Sequence, residues 1–407
     1  IAHDSDITAT WAWAQAAANS AVAEGTTFLG YSALALLAQR AEYRVISETI
    51  AAEMTREWIE LKSTGEEDKS ERIAQLGDEL TRLGLKDICR EGVLNDGFFG
   101  RGHIYIDTGD TDDRDELKIP IGNGWDLLSR AKIGVKPTEG AHDPAPVKKL
   151  QALRSVEPVW CYPTDYDSND PLKASWYKPS VWYVQGKQVH VSRLITLIGR
   201  PVPDLLKPAY SFGGLSMSQM AKPYIDNWLR TRQGVSDLIN NFSIRVLKTP
   251  GVAAALSVGG EQIFRRAEFF NQLGNNLGLM MLDPLEEVSN IATPLAGLEQ
   301  LQAQSQEHMA AVARIPLVKL LGIQPAGLNA SSEGEIRAFY DWIKAFQEAL
   351  LRHPIHTVIG FAMLNLWGEL DPEITFEFVN LWQIDEAARV GIEKTKTDID
   401  DANVAMG

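Results

Sequence analysis

The sequence predicts an α+β protein, in which long helices and a β-rich region occupy separate stretches of the chain. Apolar residues recur every three or four positions over 31–94 and again over 216–242, as on one face of a helix. Helical periodicity is absent from 119–212, where glycine, proline and short β-type runs are frequent. A second pair of long helical patterns, 294–314 and 333–351, follows a short mixed segment. These stretches together predict two or three domains.

Composition excludes several classes of protein. The 407 residues carry 39 Lys and Arg against 54 Asp and Glu, a net charge of −15, which argues against a sequence-reading DNA binder. The two cysteines cannot form a zinc site, and they favour a reducing compartment. The longest apolar run, Ile355 to Trp367, is shorter than a membrane span. Because the chain begins at Ile1, we expect it to be a trimmed piece of a longer one.

The N-terminal part is predicted to hold two helices and a strand. One helix covers about 31–62, with Tyr43 and Leu61 at the ends of its apolar face, and Ser63-Thr64-Gly65 ends it. A second helix runs from the charged residues 66–69 to about Leu94. Residues 102–106 form a strand, followed by an acidic turn.

The β-rich region contains one well-marked hairpin. Val181 to Val184 is followed by Gln185-Gly186-Lys187 and then by Gln188 to Leu197, two β-type runs joined by a turn. We therefore expect residues 181–197 to form an antiparallel pair.

The C-terminal half is predicted to begin with a long helix that starts at Ser216 or Ser218 and ends near Phe242. Pro316, Gly322 and Pro325 predict a broken loop after the helix 294–314. The other predicted elements are strand 244–247, helix 261–273, strand 278–282, helix 355–368, strand 374–378 and a helix from about 384.

Motifs for catalysis and for cofactors are missing. No glycine-rich stretch continues into the Lys-Ser/Thr of a phosphate-binding loop, and no dinucleotide fingerprint is present. The seven histidines are scattered, and the acidic stretch 107–115 lacks the spacing of a calcium loop. We therefore predict no catalytic residues, no metal and no cofactor.

One motif keeps an enzymatic alternative open. His190-Val191-Ser192 matches half of the paired His-x-Ser/Thr motif with which two-histidine phosphoesterases transfer protons. The only second copy at hand, His356-Thr357-Val358, has its threonine at the wrong offset. A phosphodiesterase-type enzyme using His190 is thus the alternative hypothesis, and a histidine on an ordinary strand is the simpler interpretation.

The order of the segments resembles the portal proteins of tailed double-stranded-DNA bacteriophages. In both, a long helix, a compact α/β excursion, a second long helix, a Pro/Gly-broken loop and a further helix follow one another. Local sequences that agree with this family are Tyr43-Arg44-Val45-Ile46, Thr55-Arg56-Glu57-Trp58, Val189-His190-Val191-Ser192-Arg193-Leu194-Ile195 with Gly199, Gly213-Gly214-Leu215-Ser216, Ile315-Pro316, Leu320-Leu321-Gly322, and Gly327-Leu328-Asn329-Ala330-Ser331 with Gly334.

The resemblance implies a subunit with an α/β wing, a two-helix stem, a small α/β clip, a tunnel loop and a long supporting helix. The implied parts are the wing at 1–212, the first stem helix at 213–242, the clip at 243–292, the second stem helix at 293–314, the tunnel loop at 315–332, and the supporting helix with the wing return and the start of the crown-side region at 333–407.

The resemblance also implies the biology. Portal subunits form a homo-oligomeric ring, usually a dodecamer, at one capsid vertex of the virion, and they assemble in the host cytoplasm without a membrane. Double-stranded DNA passes through the ring during packaging and ejection. Its partners are the terminase large subunit, a head-completion or adaptor protein, the scaffold and the major capsid protein. Another virion structural subunit, such as a connector, is the remaining alternative.

Charge is consistent with a channel for DNA. Residues 293–352 contain five basic and six acidic side chains, so such a wall would pass phosphates without retaining them. Small and polar residues suit a mobile loop that touches DNA. The predicted tunnel-loop residues are Lys319, Gln324, Ala326, Asn329, Ala330, Ser331 and Ser332, and the predicted stem residues facing the channel are Arg230, Arg232 and Arg314.

Overall fold

A computed structural model describes most of the chain. The described residues are 27–110, 115–122, 125, 145–146, 149–240, 243–248, 261, 263–265, 268, 287–292, 297–323 and 332–382.

Helices and strands occupy separate parts of the described chain, which confirms the α+β prediction. The α-helices are α1 (Tyr31–Leu37), α2 (Ala41–Arg56), α3 (Ser70–Arg82), α4 (Leu85–Phe99), α5 (Met217–Asn240), α6 (Leu298–Ala313), α7 (Leu317–Leu321) and α8 (Ser332–Trp367). The strands are β1 (Ile59–Ser63), β2 (Gly102–Asp107), β3 (Ile121–Gly122), β4 (Ala145–Pro146), β5 (Ala152–Val156), β6 (Cys161–Pro163), β7 (Val181–Val184), β8 (Lys187–His190), β9 (Leu194–Leu197), β10 (Ser243–Lys248), β11 (Glu287–Ala292) and β12 (Ile374–Phe378). Short 3₁₀ helices cover Glu116–Lys118, Pro158–Trp160, Val191–Arg193 and Asp204–Leu206.

The chain divides into two compact units. The main unit consists of residues 1–225 and 307–407, and the inserted unit consists of residues 226–306. The chain therefore leaves the main unit within α5 and returns to it within α6.

The centre of the main unit is an antiparallel three-stranded sheet in the order β5-β2-β9, against which α4 packs. Ile104 of β2 lies opposite Ser155 on one side and Ile195 on the other. Helix and sheet approach closely at two glycines, since a Cβ on Gly102 would lie 2.2 Å from the carbonyl oxygen of Gly92. Glycine at 102 is thus required by the backbone contact rather than by turn geometry.

The predicted hairpin is confirmed. Strands β7 and β8 pair antiparallel, Trp182 opposite Val189, and β6 extends them to a second three-stranded sheet. The second predicted run is divided, however, because the 3₁₀ helix Val191–Arg193 turns the chain so that β9 joins the central sheet instead. Trp182 and Val189 are buried together with Cys161, Leu194 and Phe212.

The N-terminal helix prediction is right for the buried face of α2 and wrong beyond it. Tyr43 and Met54 are buried, but the helix ends at Arg56, and the next five-residue run is the strand β1. Leu61 lies on that strand opposite Phe376 of β12, so a helical spacing coincided with a strand. The second predicted helix is likewise two helices, which are separated at Gly84, where φ is +63°.

The long helix α8 corrects another boundary. The sequence predicts separate helices before and after Pro354, whereas the structure has one helix of 36 residues that contains this proline. Leu351, Ile355 and Val358 are buried on both sides of it, and this packing outweighs the intrinsic cost of the proline. Strand 374–378 is confirmed as β12.

The inserted unit contains an antiparallel strand pair. Helix α5 and strand β10 are confirmed close to the predicted bounds, and β10 pairs with β11 so that Val246 lies opposite Ser289. The sequence does not predict β11. The predicted strand 278–282, most of the predicted helix 261–273 and the predicted helix from 384 lie outside the described residues.

Candidate functional site

The segment between α6 and α8 holds the predicted tunnel loop. Helix α6 ends at Ala313, and Arg314 follows with a φ of +56°. Pro316 then begins the short helix α7, whose end is set by Gly322 with a φ of +70°. The prediction of a loop over 315–332 is therefore wrong at 317–321, which is helical because Leu317 and Leu320 are buried.

Helix α7 is tied to α2 by an ion pair. The Lys319 ammonium donates to Oε1 of Glu53 at 2.7 Å, and Arg56 donates to Oε2 of the same carboxylate at 2.8 Å. The ring of Tyr340 on α8 lies beneath both cations, 5.3 Å from Lys319 Nζ and 5.1 Å from Arg56 Cζ. We call Glu53, Arg56, Lys319 and Tyr340 the loop-base cluster. It joins α2, α7 and α8 where the chain enters the predicted loop.

Electrostatics keep Lys319 charged in this position. Burial disfavours its ammonium, but hydrogen bonds to Glu53 and Tyr340 outweigh burial and raise the pKa of Lys319 above its ordinary value. The cluster therefore holds two cations, Arg56 and Lys319, which share the single carboxylate of Glu53.

A cavity of about 490 Å³ lies beside the end of α6 and the start of α8. Its wall is mostly apolar, with Phe339 buried and Trp342 half-buried, while charged side chains stand at Glu307, Arg314 and Glu335. The predicted channel residue Arg314 thus borders an apolar hollow in the main unit.

The residues predicted to face DNA lie in different parts of the structure, some in the main unit and some in the inserted unit. Arg314 is exposed and has no ion-pair partner among the described residues. Arg230 and Arg232 are exposed on the part of α5 that belongs to the inserted unit, and the Arg232 guanidinium lies 5.2 Å from the ring of Trp228. Ser332 is the first residue of α8. The remaining predicted loop residues, Gln324, Ala326, Asn329, Ala330 and Ser331, lie outside the described residues.

His190 has a structural partner. Its Nδ1 accepts the backbone N–H of Ser192 at 3.2 Å and lies 2.9 Å from the hydroxyl of Ser192, so its ring caps the 3₁₀ helix Val191–Arg193. The Ser192 hydroxyl in turn accepts the N–H of Ile121 at 2.8 Å. Burial lowers the pKa of His190, with the nearby Arg193 adding to the effect. His356 instead packs against Trp125, with 4.5 Å between the ring centroids.

A buried arginine joins distant segments of the main unit just before β2. The Arg101 guanidinium donates to the carbonyl oxygens of Ser211, Pro158 and Cys161, and lies 4.8 Å from the ring of Trp182. The sequence does not predict the role of Arg101, because its hydrogen-bond partners lie more than fifty positions away. Glycines at 100 and 102 do indicate that backbone segments approach closely beside it.

Metal-binding clusters and membrane-spanning helices are both absent from the described part of the chain. No group of three or more His, Cys, Asp or Glu side chains converges there in a way that could hold a metal ion. Within the same residues, no helix is both long enough and apolar enough to cross a membrane.

Comparison with known proteins adds a family. A family model described as phage portal protein matches residues 31–402. A protein of Sphingomonas paeninsulae named anti-CBASS protein Acb1 is 24% identical over 371 residues, which cover 87% of this chain and 54% of that protein. An uncharacterised protein of Haemophilus influenzae is 24% identical over 353 residues, covering 84% of this chain and 72% of that one. The chain thus spans about half the length of the first of these relatives.

Solved structures of similar fold are remote in sequence. An HK97-family phage portal protein from Corynebacterium diphtheriae is 10% identical, with a TM-score of 0.39, and the match covers 79% of this chain and 90% of that one. The neck of a native gene transfer agent particle, computed with C12 symmetry, is 15% identical, with a TM-score of 0.47 and coverage of 88% and 84%.

Proposed function

This chain belongs to the phage portal protein family, and we propose that its copies form a ring at one capsid vertex through which double-stranded DNA is packaged and ejected. The ring is a homo-oligomer, with twelve subunits as the expected number. It is a virion component that assembles in the host cytoplasm with scaffold and major capsid protein. The terminase large subunit and a head-completion protein dock on it.

The observation that carries this proposal is the family match across residues 31–402, together with the path of the chain. Helix α5 leads into the inserted unit and α6 leads back, and the antiparallel pair β10–β11 lies between them in sequence. We assign 213–242 and 293–314 as the stem helices and 243–292 as the clip. Exposed apolar side chains on these helices, Leu238 and Leu301, are then available to neighbouring copies in the ring.

The acidic character of the chain supports transport of DNA rather than capture. With a net charge of −15, and with Lys319 ion-paired to Glu53, strong phosphate binding is not favoured. Between α6 and α8, Arg314 is exposed and lacks an ion-pair partner among the described residues. We infer that Arg314 meets passing phosphates weakly, and that the tunnel-loop residues predicted between Gln324 and Ser331 lie nearest the DNA.

Electron microscopy tests the ring. Purified chain imaged in negative stain is expected to show annular particles with a central hole, and mass photometry is expected to give a multiple of the 45.0 kDa subunit. Monomers at every protein and salt concentration would overturn the proposal.

A deletion tests the loop. Removing residues 324–331 and closing the gap with two glycines is expected to preserve the rings, because the loop-base cluster holds α7 through described residues outside the deletion. Packaging of DNA into proheads is expected to fail. The matched control replaces Gln324 to Ser331 by a glycine-serine segment of equal length. Normal packaging by the deletion variant would remove the tunnel-loop assignment.

The portal proposal gives His190 a structural role instead of that of a catalytic acid or base. Its Nδ1 is occupied by the capping hydrogen bond, which supports a structural role. The match covers only 54% of the relative from Sphingomonas paeninsulae. The residues responsible for the activity in its name can therefore lie in the part that this chain does not share. The unmodified chain is expected to show no phosphodiester hydrolysis above background, and His190→Ala is expected to lower only its stability. A purified chain that hydrolyses phosphodiester substrates, and loses this activity on His190→Ala, would establish the enzyme instead.

A further inference from the structure

Strand β1 is hydrogen-bonded on one side only. The N–H of Val379 donates to the carbonyl oxygen of Trp58 at 3.0 Å. At the other end, the N–H of Thr64 donates to the carbonyl oxygen of Glu373 at 2.9 Å. Hydrogen-bonded pairs alternate along an antiparallel ladder, so the even-numbered residues bond β12 and the odd-numbered ones point their backbone groups away from it. No described residue bonds these outward groups. We call their residues the free edge, and they are Ile59, Leu61 and Ser63.

A cavity of about 380 Å³ lies beside the free edge. Ile59 and Leu61 line it on one side, and the apolar side chains opposite include Leu80 of α3 and Leu85 of α4. No residue of β12 lines this cavity. It therefore occupies the space in which a further strand beside β1 would place its inward-facing side chains.

The opposite edge of the same sheet is already covered. The Arg352 guanidinium of α8 donates to the carbonyl oxygen of Phe376 at 3.3 Å. The N–H of Ile374 donates to the carbonyl oxygen of Asp371, also at 3.3 Å. The free edge of β1 is half-buried but lacks such partners among the described residues. Backbone groups left unpaired in this way are costly, and extended backbone satisfies their two-residue period.

The described chain ends close to the free edge. The carbonyl oxygen of Leu381 accepts a hydrogen bond from Arg56 at 3.0 Å, and Arg56 is the last residue of α2, just before β1. Residues 394–399 begin twelve positions after Trp382, the last described residue. Twelve residues span up to about 40 Å when extended, whereas a five-residue strand is about 17 Å long. The connection is thus long enough to bring residues 394–399 to β1 of the same chain.

The sequence of residues 394–399, Lys-Thr-Lys-Thr-Asp-Ile, has the period of a strand. Every second residue is β-branched, the type most favoured in strands, and these residues are Thr395, Thr397 and Ile399. The alternate positions are charged, and they are Lys394, Lys396 and Asp398. Such a segment has one face suited to a half-apolar cavity and one suited to solvent.

Charge favours this segment as the neighbour of β1. The solvent face of β1 holds Glu60, whose side chain is 64% exposed, and the exposed Glu66 and Glu67 follow the strand. The charged face of residues 394–399 has a net charge of +1, so it complements these carboxylates. Residues 1–26 contain three acidic residues and no lysine or arginine, so the same carboxylates would repel them.

We propose that residues 394–399 add to the free edge of the same chain as a third strand. Their β-branched side chains enter the cavity, and Lys394 and Lys396 lie on the face of Glu60. This strand closes an edge that would otherwise be a template for pairing between copies. The inference rests on β1 and on the path of the chain, and it does not depend on ring assembly or on DNA transport.

Hydrogen–deuterium exchange at residue resolution tests the added strand in the full chain. The amide of Leu61 is expected to exchange about tenfold or more slowly than in a variant that ends at Ile392. The amides of Glu60 and Lys62 are internal controls, because they bond β12 and stay protected as long as the main unit is folded.

Proline substitutions test the backbone pairing. Lys396→Pro combined with Thr397→Pro removes two consecutive N–H groups, one of which faces β1 in either strand direction. This variant is expected to lose the protection of Leu61 as the shortened chain does. The matched control is Ala402→Pro, which lies outside the segment and is expected to leave the exchange of Leu61 unchanged.

A charge exchange tests the assignment of the two faces. Lys394→Glu combined with Lys396→Glu is expected to speed the exchange of Leu61 by up to about fivefold, through repulsion from Glu60. Adding Glu60→Lys to this variant is expected to restore most of the protection.

Three results would overturn the proposal. One is equal exchange of Leu61 in the full chain and in the variant that ends at Ile392. Another is protection that survives both this shortening and the double proline variant, which would mean that a different segment covers β1. The last is protection that disappears on dilution, which would mean that a second copy supplies the strand. Unchanged amides of Glu60 and Lys62 separate each result from misfolding.

Discussion

The ion pair between Lys319 and Glu53 gives a direct measure of how firmly the base of the predicted tunnel loop is anchored. Lys319→Met removes the charge and keeps most of the apolar stem, while Glu53→Gln removes the carboxylate that serves both Lys319 and Arg56. Combining the two substitutions closes a double-mutant cycle, in which the free energy of unfolding of four proteins yields the coupling between the two side chains.

The magnitude follows from the partial burial of the pair. The Lys319 side chain is 30% exposed and that of Glu53 is 10% exposed, so the pair lies between a surface ion pair, worth about 0–1 kcal/mol, and a buried one, whose disruption costs about 3–5 kcal/mol. Arg56 continues to neutralise Glu53 after Lys319→Met, which keeps the cost of this substitution near the lower end. We expect Lys319→Met to cost about 1–2 kcal/mol, Glu53→Gln about 2–3 kcal/mol, and the coupling to be about 1–2 kcal/mol.

Urea unfolding followed by tryptophan fluorescence, at one protein concentration for all four proteins, measures these values. Lys344→Ala is the control, because Lys344 is an exposed lysine that bonds the side chain of Asn380. It is expected to change stability by less than about 0.5 kcal/mol. Because the folded-state pKa of Lys319 is raised, its contribution is fully present below its unfolded pKa and is lost as the pH rises through the folded-state pKa. A coupling below about 0.3 kcal/mol, the scatter of independent sites, would refute the anchoring role.

Three other measurements test the packing of the main unit and the proposed role of Arg314 in a DNA channel. Gly100→Ala is expected to lower the free energy of unfolding by more than about 3 kcal/mol, because φ is +81° and the new Cβ would lie 2.1 Å from the carbonyl oxygen of Gly214. Gly186→Ala, at a φ of +86° in open space, should cost only about 1 kcal/mol. Equal losses in thermal or urea unfolding would contradict the packing argument. Burial depresses the pKa of His103 well below 6.5, and the nearby Arg101 adds to this effect. The stability contributed by neutral His103 is therefore complete above pH 6.5 and falls by up to about 1.4 kcal/mol per pH unit below that pH. His103→Gln should flatten the stability profile between about pH 5 and 6.5, and an unchanged slope would show that His103 is not its source. Arg314→Ala is expected to leave stability within about 0.5 kcal/mol and to change the amount of nuclease-protected DNA in filled particles, and the reverse pattern would point to a structural salt bridge.

Agreement between sequence and structure is best where a signal is local and long. The buried face of α2, the hairpin β7–β8 and the long helix α5 all follow from spacing within a few consecutive residues. Each of these elements repeats one residue spacing over many consecutive positions, so periodicity contains most of the information. The order of these segments also predicts the portal family, and the family match confirms this prediction.

What the sequence determined by itself is this local pattern, along with the charge balance and the order of parts that led to the family. The tertiary structure alone decided which distant residues meet. Leu61 became part of a strand because β1 pairs with β12, some three hundred residues along the chain, and α8 continued through Pro354 because buried side chains flank it. Lys319 became an anchor because Glu53, 266 positions away, lies at its ammonium group. Such contacts are set by how the chain closes on itself in space, and no spacing of residues in a single sequence encodes that closure.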